Sequence, residues 1–133
     1  MPSLKKTKEE AWKFYDAWRK TGSYCQAFHS RVVISLKGWR HITGATGYKK
    51  RSYDDTYRRL MLLPHAKMIT EQSTTIQNIT HKNGNEYHIL EALVSVKEKG
   101  VTAMRKVRVV FLYDKKKNRI FLSVMDKKQK LGF

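Results

Sequence analysis

The sequence predicts an α+β domain in which N-terminal helices pack on an antiparallel sheet of four to five strands. Two helical patterns, over residues 7–20 and 53–63, precede a series of short β-prone runs that turn signals separate. At 133 residues the chain is long enough for a single domain with its own core. We divide it into an N-terminal helical part (1–30), a central part (31–125) and a basic tail (126–133).

The first helix is predicted from an aromatic stripe. Trp12, Tyr15 and Trp18 recur at a spacing of three, which places them on one face that we expect to enter the core. Thr7 is the candidate N-cap, and Gly22 is expected to end the helix.

The first strand is predicted over residues 32–36, a short β-branched run, and a loop is expected to follow it. His41 would then lie in the turn after this strand. The second helix should begin near Tyr53, with Ser52 or Asp54 as its cap, and Pro64 should end it. In this helix we expect Arg58 and Arg59 to point away from the core.

The remainder of the chain is predicted to be β-structure. The pair Asn83-Gly84 is a strong hairpin signal, and Gly100 should end the strand that follows the hairpin. The expected strands cover residues 66–71, 75–81, 86–97, 106–113 and 119–125.

The charge narrows the choice of partner. The chain carries 28 Lys and Arg against 11 Asp and Glu, a net charge of +17, which favours a polyanion: nucleic acid, an anionic membrane surface or an acidic protein. No run approaches the roughly 20 apolar residues of a membrane span, and among these polyanions we predict no membrane partner. The N-terminus does not resemble a signal peptide, so we expect a cytoplasmic protein, or one delivered to a target-cell cytoplasm.

Disulfide and metal chemistry find little support in the sequence. The single Cys25 excludes an internal disulfide and a cysteine-based zinc cluster. The five histidines lack the paired helical spacing of a zinc site. We therefore predict neither a metal nor another cofactor.

Residues 40–51 combine the side-chain types that RNA cleavage needs. The 2′-hydroxyl must lose a proton and the 5′-oxygen must gain one, and histidine suits both transfers because its pKa is near neutrality. Arginine binds phosphate oxygens with two parallel hydrogen bonds. His41 lies beside Arg40, with Lys49, Lys50 and Arg51 about ten residues on. The alternative is that the histidine is an ordinary turn residue and the basic side chains are merely solvated.

Strand alternation predicts a second polar group on the sheet. Lys106 and Arg108 share one face of their strand, and we expect Ser123 and Glu91 to join them on an open face able to hold RNA. The alternative is that Glu91 only neutralises Arg108 across the strands. In the last strand, Ser123 is predicted to share its face with Phe121.

The order of these segments resembles a nuclease family. An apolar strand precedes His41-Ile42, a basic helix ends in Leu62-Leu63-Pro64, a strand and a hairpin come next, and two apolar strands, 107–111 and 120–123, follow. This pattern, over residues 32–124, is similar to the phage and bacterial toxin nucleases grouped with barnase, EndoU, colicin-type tRNases and RelE. The resemblance implies a metal-independent endoribonuclease with a barnase-like fold, general acid–base catalysis and a 2′,3′-cyclic phosphate product.

The resemblance also implies site residues and partners. His41 matches the family's histidine and Ser123 its small hydroxyl residue. Arg51 is the nearest basic residue to the position of a second histidine, which this chain lacks. Expected partners are RNA, such as tRNA, and an acidic antitoxin or immunity protein.

The predicted residues fall into two groups. The predicted catalytic residues are His41, Arg51, Glu91, Arg108 and Ser123. The predicted nucleic-acid-binding residues are Arg40, Lys49, Lys50, Arg58, Arg59, Lys67 and Lys106. A non-catalytic nucleic-acid-binding module and a basic protein-interaction or inhibitor domain are the alternative functions.

Overall fold

The computed structural model describes residues 3–44, 51–98 and 100–128. Within these ranges the chain forms four α-helices, one 3-10 turn and six strands. The helices are α1 (Leu4–Thr21), α2 (Leu36–Thr43), α3 (Tyr53–Met61) and α4 (Leu63–Gln72), and the 3-10 turn covers Gln26–Phe28. The strands are β1 (Ser23–Cys25), β2 (Ser30–Val32), β3 (Asn78–Lys82), β4 (Asn85–Glu98), β5 (Val101–Tyr113) and β6 (Arg119–Lys128).

The predicted α+β class is confirmed. The main sheet is antiparallel, with the strand order β3-β4-β5-β6, and β1 and β2 form a separate two-stranded sheet. Val33 adds a short parallel bridge to Ile120 at the outer edge of β6. All helices precede the main sheet in the chain, and their buried side chains join those of one sheet face in a single apolar cluster.

Helix α1 follows the prediction except at its start. Trp18 and Tyr15 are buried in the core, and Gly22 ends the helix with a φ of 66°. The prediction of Thr7 as the cap was wrong. Ser3 is the N-cap, because its hydroxyl accepts a hydrogen bond from the Lys6 N–H at 3.1 Å. Thr7 is instead a buried helix residue.

The predicted strand over residues 32–36 was wrong, and this changes the setting of His41. β2 ends at Val32, and Ser35 caps α2 through a hydrogen bond from the Lys37 N–H at 3.3 Å. The β-branched run is therefore an extended approach to a helix. His41 lies in the last turn of α2, not in a turn after a strand.

The predicted strand over residues 66–71 was also wrong, because this segment belongs to α4. Leu63, Ala66 and Ile69 are buried at a helical spacing of three. Pro64 lies in the first turn of α4, where its missing N–H costs no helix hydrogen bond. It therefore begins one helix instead of ending another, and α3 ends at Met61.

The predicted hairpin is confirmed, but its first strand begins at Asn78 and not at residue 75. Asn83 and Gly84 form the turn between β3 and β4 with φ values of 53° and 78°, which match a type I′ turn. Gly100, with a φ of 77°, lies between β4 and β5. Strand β6 continues past the predicted end at Met125 to Lys128, so the start of the basic tail belongs to the sheet.

An irregularity in the pairing of β5 with β6 overturns the predicted faces of the last strand. The register shifts between Val110 and Phe111, so that Ser123 lies opposite Val110 and Phe121 opposite Phe111. Phe121 is fully buried in the core with Val124, not on an open face with Ser123. Ser123 is buried as well, with 1% of its surface exposed.

Gly38 fixes the close approach of α2 to the core, and Gly38→Ala should destabilise the fold by about 3 kcal/mol. An added Cβ would lie 2.6 Å from the Tyr15 hydroxyl and 2.7 Å from the Phe121 carbonyl oxygen. Urea unfolding measures the loss. Gly84→Ala is the control, since its Cβ would meet nothing within 4 Å and only its φ of 78° opposes the change, at about 1 kcal/mol. Equal losses in the two variants would contradict this account.

Candidate active site

Helix α2 is held rigidly and sets the position of His41. The Tyr15 hydroxyl donates a hydrogen bond to the carbonyl of Ser35, just before the helix, and Ile42 is fully buried. Trp39 packs against Tyr15, with ring centroids 5.5 Å apart. The backbone of His41 is therefore anchored on both sides of the residue.

Arg51 contacts both the backbone and the ring of His41. Its Nε donates to the His41 carbonyl oxygen at 2.8 Å, and its Nη2 lies 3.2 Å from His41 Nδ1. A guanidinium group has no acceptor, so Nδ1 must accept this hydrogen bond. The imidazole is then neutral, with its proton on Nε2.

Asp55 joins two arginines on one side of α3. Its carboxylate binds Arg51 Nη1 at 2.9 Å and Arg59 Nε at 3.1 Å. Ser52 caps the helix by accepting the Asp55 N–H at 3.2 Å, which places Asp55 in the first turn. Asp55 and Arg59 lie one turn apart on α3, and Arg51 reaches Asp55 from just before the N-cap, so the three side chains form one column.

Arg59 extends this column to the sheet. Its Nη1 donates to the Ser123 hydroxyl and, at 3.3 Å, to the Val124 carbonyl oxygen. The prediction that Arg59 points away from the core was wrong: only 13% of its side chain is exposed. The structure thus links His41, Arg51, Asp55, Arg59 and Ser123 in one network, which we call the His41 cluster.

The two guanidinium groups and the partial burial of the cluster set its proton affinities. Burial, followed by the charges of Arg51 and Arg59, lowers the pKa of His41 from 6.5 to about 4. Burial alone would raise the pKa of Asp55, but the two arginines outweigh it and hold that pKa below its usual value. Burial and the nearby Arg51 lower the pKa of Arg59.

The His41 cluster has the chemistry of an anion site with a proton acceptor. Two guanidinium charges face one carboxylate, which leaves a net positive charge beside a neutral imidazole. Arginines of this kind bind phosphate oxygens in bidentate geometry. Three of the five predicted catalytic residues, His41, Arg51 and Ser123, belong to this cluster.

The other two predicted catalytic residues form a separate group on the sheet. Glu91 lies opposite Arg108 in the register of β4 and β5, and binds its guanidinium at 3.2 Å and Lys106 Nζ at 3.7 Å. These three side chains lie on the face opposite the core, as alternation predicted. The cross-strand neutralisation of Arg108 by Glu91 is therefore present in the structure.

The remaining predicted binding residues have varied surroundings. Arg58 binds Asp126 at 2.9 Å, and only 3% of that aspartate side chain is exposed. Lys67 pairs with Glu71 at 3.0 Å on α4, and Arg40 is exposed on α2. Lys49 and Lys50 lie outside the described residues.

Sequence reasoning missed Asp55. The signal was available, because Arg51, Asp55 and Arg59 follow each other at intervals of four, as do the members of helical ion pairs.

In residues 3–44, 51–98 and 100–128, no group of three or more His, Cys, Asp and Glu side chains is arranged to hold a metal ion. In the same part of the chain, no helix has the length and apolar character needed to span a membrane.

Comparison with known proteins gives no match: no protein-family model, curated protein or solved structure is significantly similar to this chain.

Proposed function

We propose that the protein is a metal-independent endoribonuclease, a toxin of bacterial or phage type, and that the His41 cluster is its catalytic centre. The observation that carries this proposal is the convergence of His41, Arg51, Arg59 and Ser123 from separate segments of the chain. Of the order of elements that resembles the barnase, EndoU, colicin and RelE group, the hairpin and the two apolar strands after it are formed, whereas the strand before His41 and the helix end at Pro64 are not.

In the proposed reaction His41 carries the proton between two oxygens. The 2′-hydroxyl loses its proton to the neutral imidazole as its oxygen forms a bond to phosphorus. The protonated imidazole then gives that proton to the 5′-oxygen as the bond from phosphorus to this oxygen breaks. The products are a 2′,3′-cyclic phosphate and a free 5′-hydroxyl, and one histidine is sufficient.

The arginines stabilise the charge that develops on the phosphorane oxygens. Arg51 and Arg59 hold Asp55 in the free protein, and a substrate phosphate would take over part of these hydrogen bonds. Release of His41 Nδ1 by Arg51 exposes the lone pair that accepts the 2′-proton. The bound phosphate also offsets the two positive charges, so the pKa of His41 rises in the complex and the imidazole becomes a stronger base.

Ser123 positions Arg59, and the open sheet face holds the rest of the RNA. Ser123 is buried and accepts a hydrogen bond from Arg59, so we assign it no proton transfer. Lys106 and Arg108 lie on the sheet face opposite the core and suit contacts to flanking phosphates. With a net charge of +17, the protein would attract RNA in the cytoplasm, and an acidic antitoxin or immunity protein would compete for the same surface.

The test is cleavage of total tRNA and of a single-stranded RNA in EDTA by purified protein. His41→Asn should lower the cleavage rate at least about 100-fold, because it removes the proton acceptor. His65→Asn is the matched control, a partly buried histidine on α4, and should cleave at the wild-type rate.

Three outcomes would contradict the proposal. Equal cleavage by His41→Asn and the wild type would remove His41 from the reaction. Intact RNA with a salt-dependent mobility shift would support a non-catalytic binding module. If the RNA is neither cleaved nor shifted, a protein-interaction domain is the remaining alternative.

A further inference from the structure

Strand β4 has a long edge without a neighbouring strand. It covers 14 residues, but β3 pairs with it only as far as Ile89. On its other side β4 pairs with β5 from Glu86 to Glu98. In the part of the chain that the structure describes, no strand lies beside the outer edge of Glu91–Lys97.

The register identifies the backbone groups at this edge. The two-residue turn makes Lys82 and Asn85 a hydrogen-bonded pair, and alternate residues of β4 then direct their N–H and C=O groups towards β3. The Gln77 N–H donates to the Ile89 carbonyl at 2.9 Å, which confirms this direction. The next residues in the series, whose groups face the unpaired edge, are Glu91, Leu93, Ser95 and Lys97.

The edge lacks two of the features that usually prevent strands from pairing, although Ser73, Thr74 and Thr75 line a groove along Glu91–Val94 without pairing with them. The segment Glu91–Lys97 contains no proline and no glycine, and its pairing with β5 is regular. Leu93 lies within it with 55% of its surface exposed. Such an edge is a template for a further strand.

We propose that this edge pairs in antiparallel orientation with the same edge of a second copy of the chain, with the two-fold axis at Val94. The ends of the segment carry opposite charges, so Glu91, which also binds Arg108 and Lys106 of its own chain, would face the partner's Lys97 at one end, and the reverse would hold at the other. Leu93 would face the partner's Ser95 and lie diagonal to the partner's Leu93.

The side chains on the core face of β4 are also complementary in this register. Ala92 would face the partner's Val96, and Val94 would face the partner's Val94, so this layer of the interface is apolar throughout. Val94 is buried and the other two are partly buried against the core. The two main sheets would then join into one continuous sheet.

The dimer should be weak and should tighten with salt. Seven residues per strand bury less than the roughly 1,200 Å² of a stable interface, so we expect a dissociation constant of about 10–500 µM. Each chain carries +17, and their mutual repulsion falls as salt shortens the screening length. Raising NaCl from about 50 to about 300 mM should therefore favour the dimer.

Sedimentation of the full chain over a range of concentrations tests the proposal. Lys97→Glu should weaken the dimer at least about tenfold, because it places two carboxylates opposite each other. Lys116→Glu in the turn before β6 is the control with the same change of charge, and it should not weaken the dimer. Ser95→Pro should also give monomers with an intact fold, because it removes an N–H that points out of the sheet.

A cross-link tests the register. Val94→Cys should form a disulfide-linked dimer on mild oxidation, since directly opposed residues of a non-hydrogen-bonded pair lie about 4.5 Å apart. Val101→Cys, at the exposed hairpin end, should cross-link more slowly. A wild type that stays monomeric up to about 1 mM, or variants at Lys97 and Ser95 that dimerise like the wild type, would overturn the proposal.

Discussion

Replacing Arg59 by glutamine should lower RNA cleavage by about 100- to 1,000-fold, because the transition state would lose one of its two guanidinium groups. The same change removes the hydrogen bonds to Asp55 and to the buried Ser123 hydroxyl, at a cost in stability of about 1–3 kcal/mol. The loss of rate should therefore be far larger than the loss of folded protein explains.

Single-turnover cleavage, with circular dichroism to monitor folding, separates the two effects. Arg19→Gln is a matched control, because Arg19 pairs with Asp16 on α1 as Arg59 pairs with Asp55 on α3. Arg59→Lys keeps the charge but loses the bidentate geometry, so its activity should lie between that of Arg59→Gln and that of the wild type. Full activity in folded Arg59→Gln would exclude the His41 cluster as the catalytic centre.

The pH profile of cleavage should report an unusually acidic histidine. In the proposed reaction the free protein needs neutral His41 as the base, and the pKa of His41 is lowered to about 4 by burial and by Arg51 and Arg59. The value of kcat/KM should therefore stay constant down to about pH 5 and fall with an apparent pKa of about 4. A fall in kcat/KM with an apparent pKa near 6.5 would show that the His41 imidazole is not held beside the two arginines.

The same pKa predicts how stability depends on pH. Between about pH 6.5 and pH 4 the unfolded chain binds a proton at His41 that the folded chain does not, so stability falls as the pH is lowered through this window. The loss should amount to about 1–3 kcal/mol for a partly buried group. The His41→Asn variant should not show this loss. Unfolding of the wild type and the variant in urea at pH 7 and pH 4.5 measures the difference.

The sheet could be predicted from the sequence because its signals are local. Asn83-Gly84 and Gly100 adopt positive φ values that define their turns, and alternation along β5 separates the core face from the outer face. The segments over residues 32–36 and 66–71 were mistaken for strands because the periodicity of a short apolar run does not distinguish a strand from a buried helical segment. In the structure, Ser35 is the N-cap of α2 and Pro64 lies in the first turn of α4, so both residues mark the start of a helix.

The candidate site was predicted in part. His41, Arg51 and Ser123 were selected by chemical type and by resemblance, and the structure places them in one network. The inward direction of Arg59 could not be predicted, because it depends on α3 lying beside β6, a contact between segments 64 residues apart. Phe121 lies on the core face and not beside Ser123 because the pairing of β5 with β6 is irregular between Val110 and Phe111, and the sequence carries no local signal of this irregularity.

The measurement that tests the central claim most directly is the identity of the ends produced when purified protein cuts a short RNA in EDTA. The proposed chemistry predicts 2′,3′-cyclic phosphate and 5′-hydroxyl ends, and no cleavage at a position where the 2′-hydroxyl is replaced by hydrogen. Cleavage at such a 2′-deoxy position, or RNA that stays intact, would contradict it.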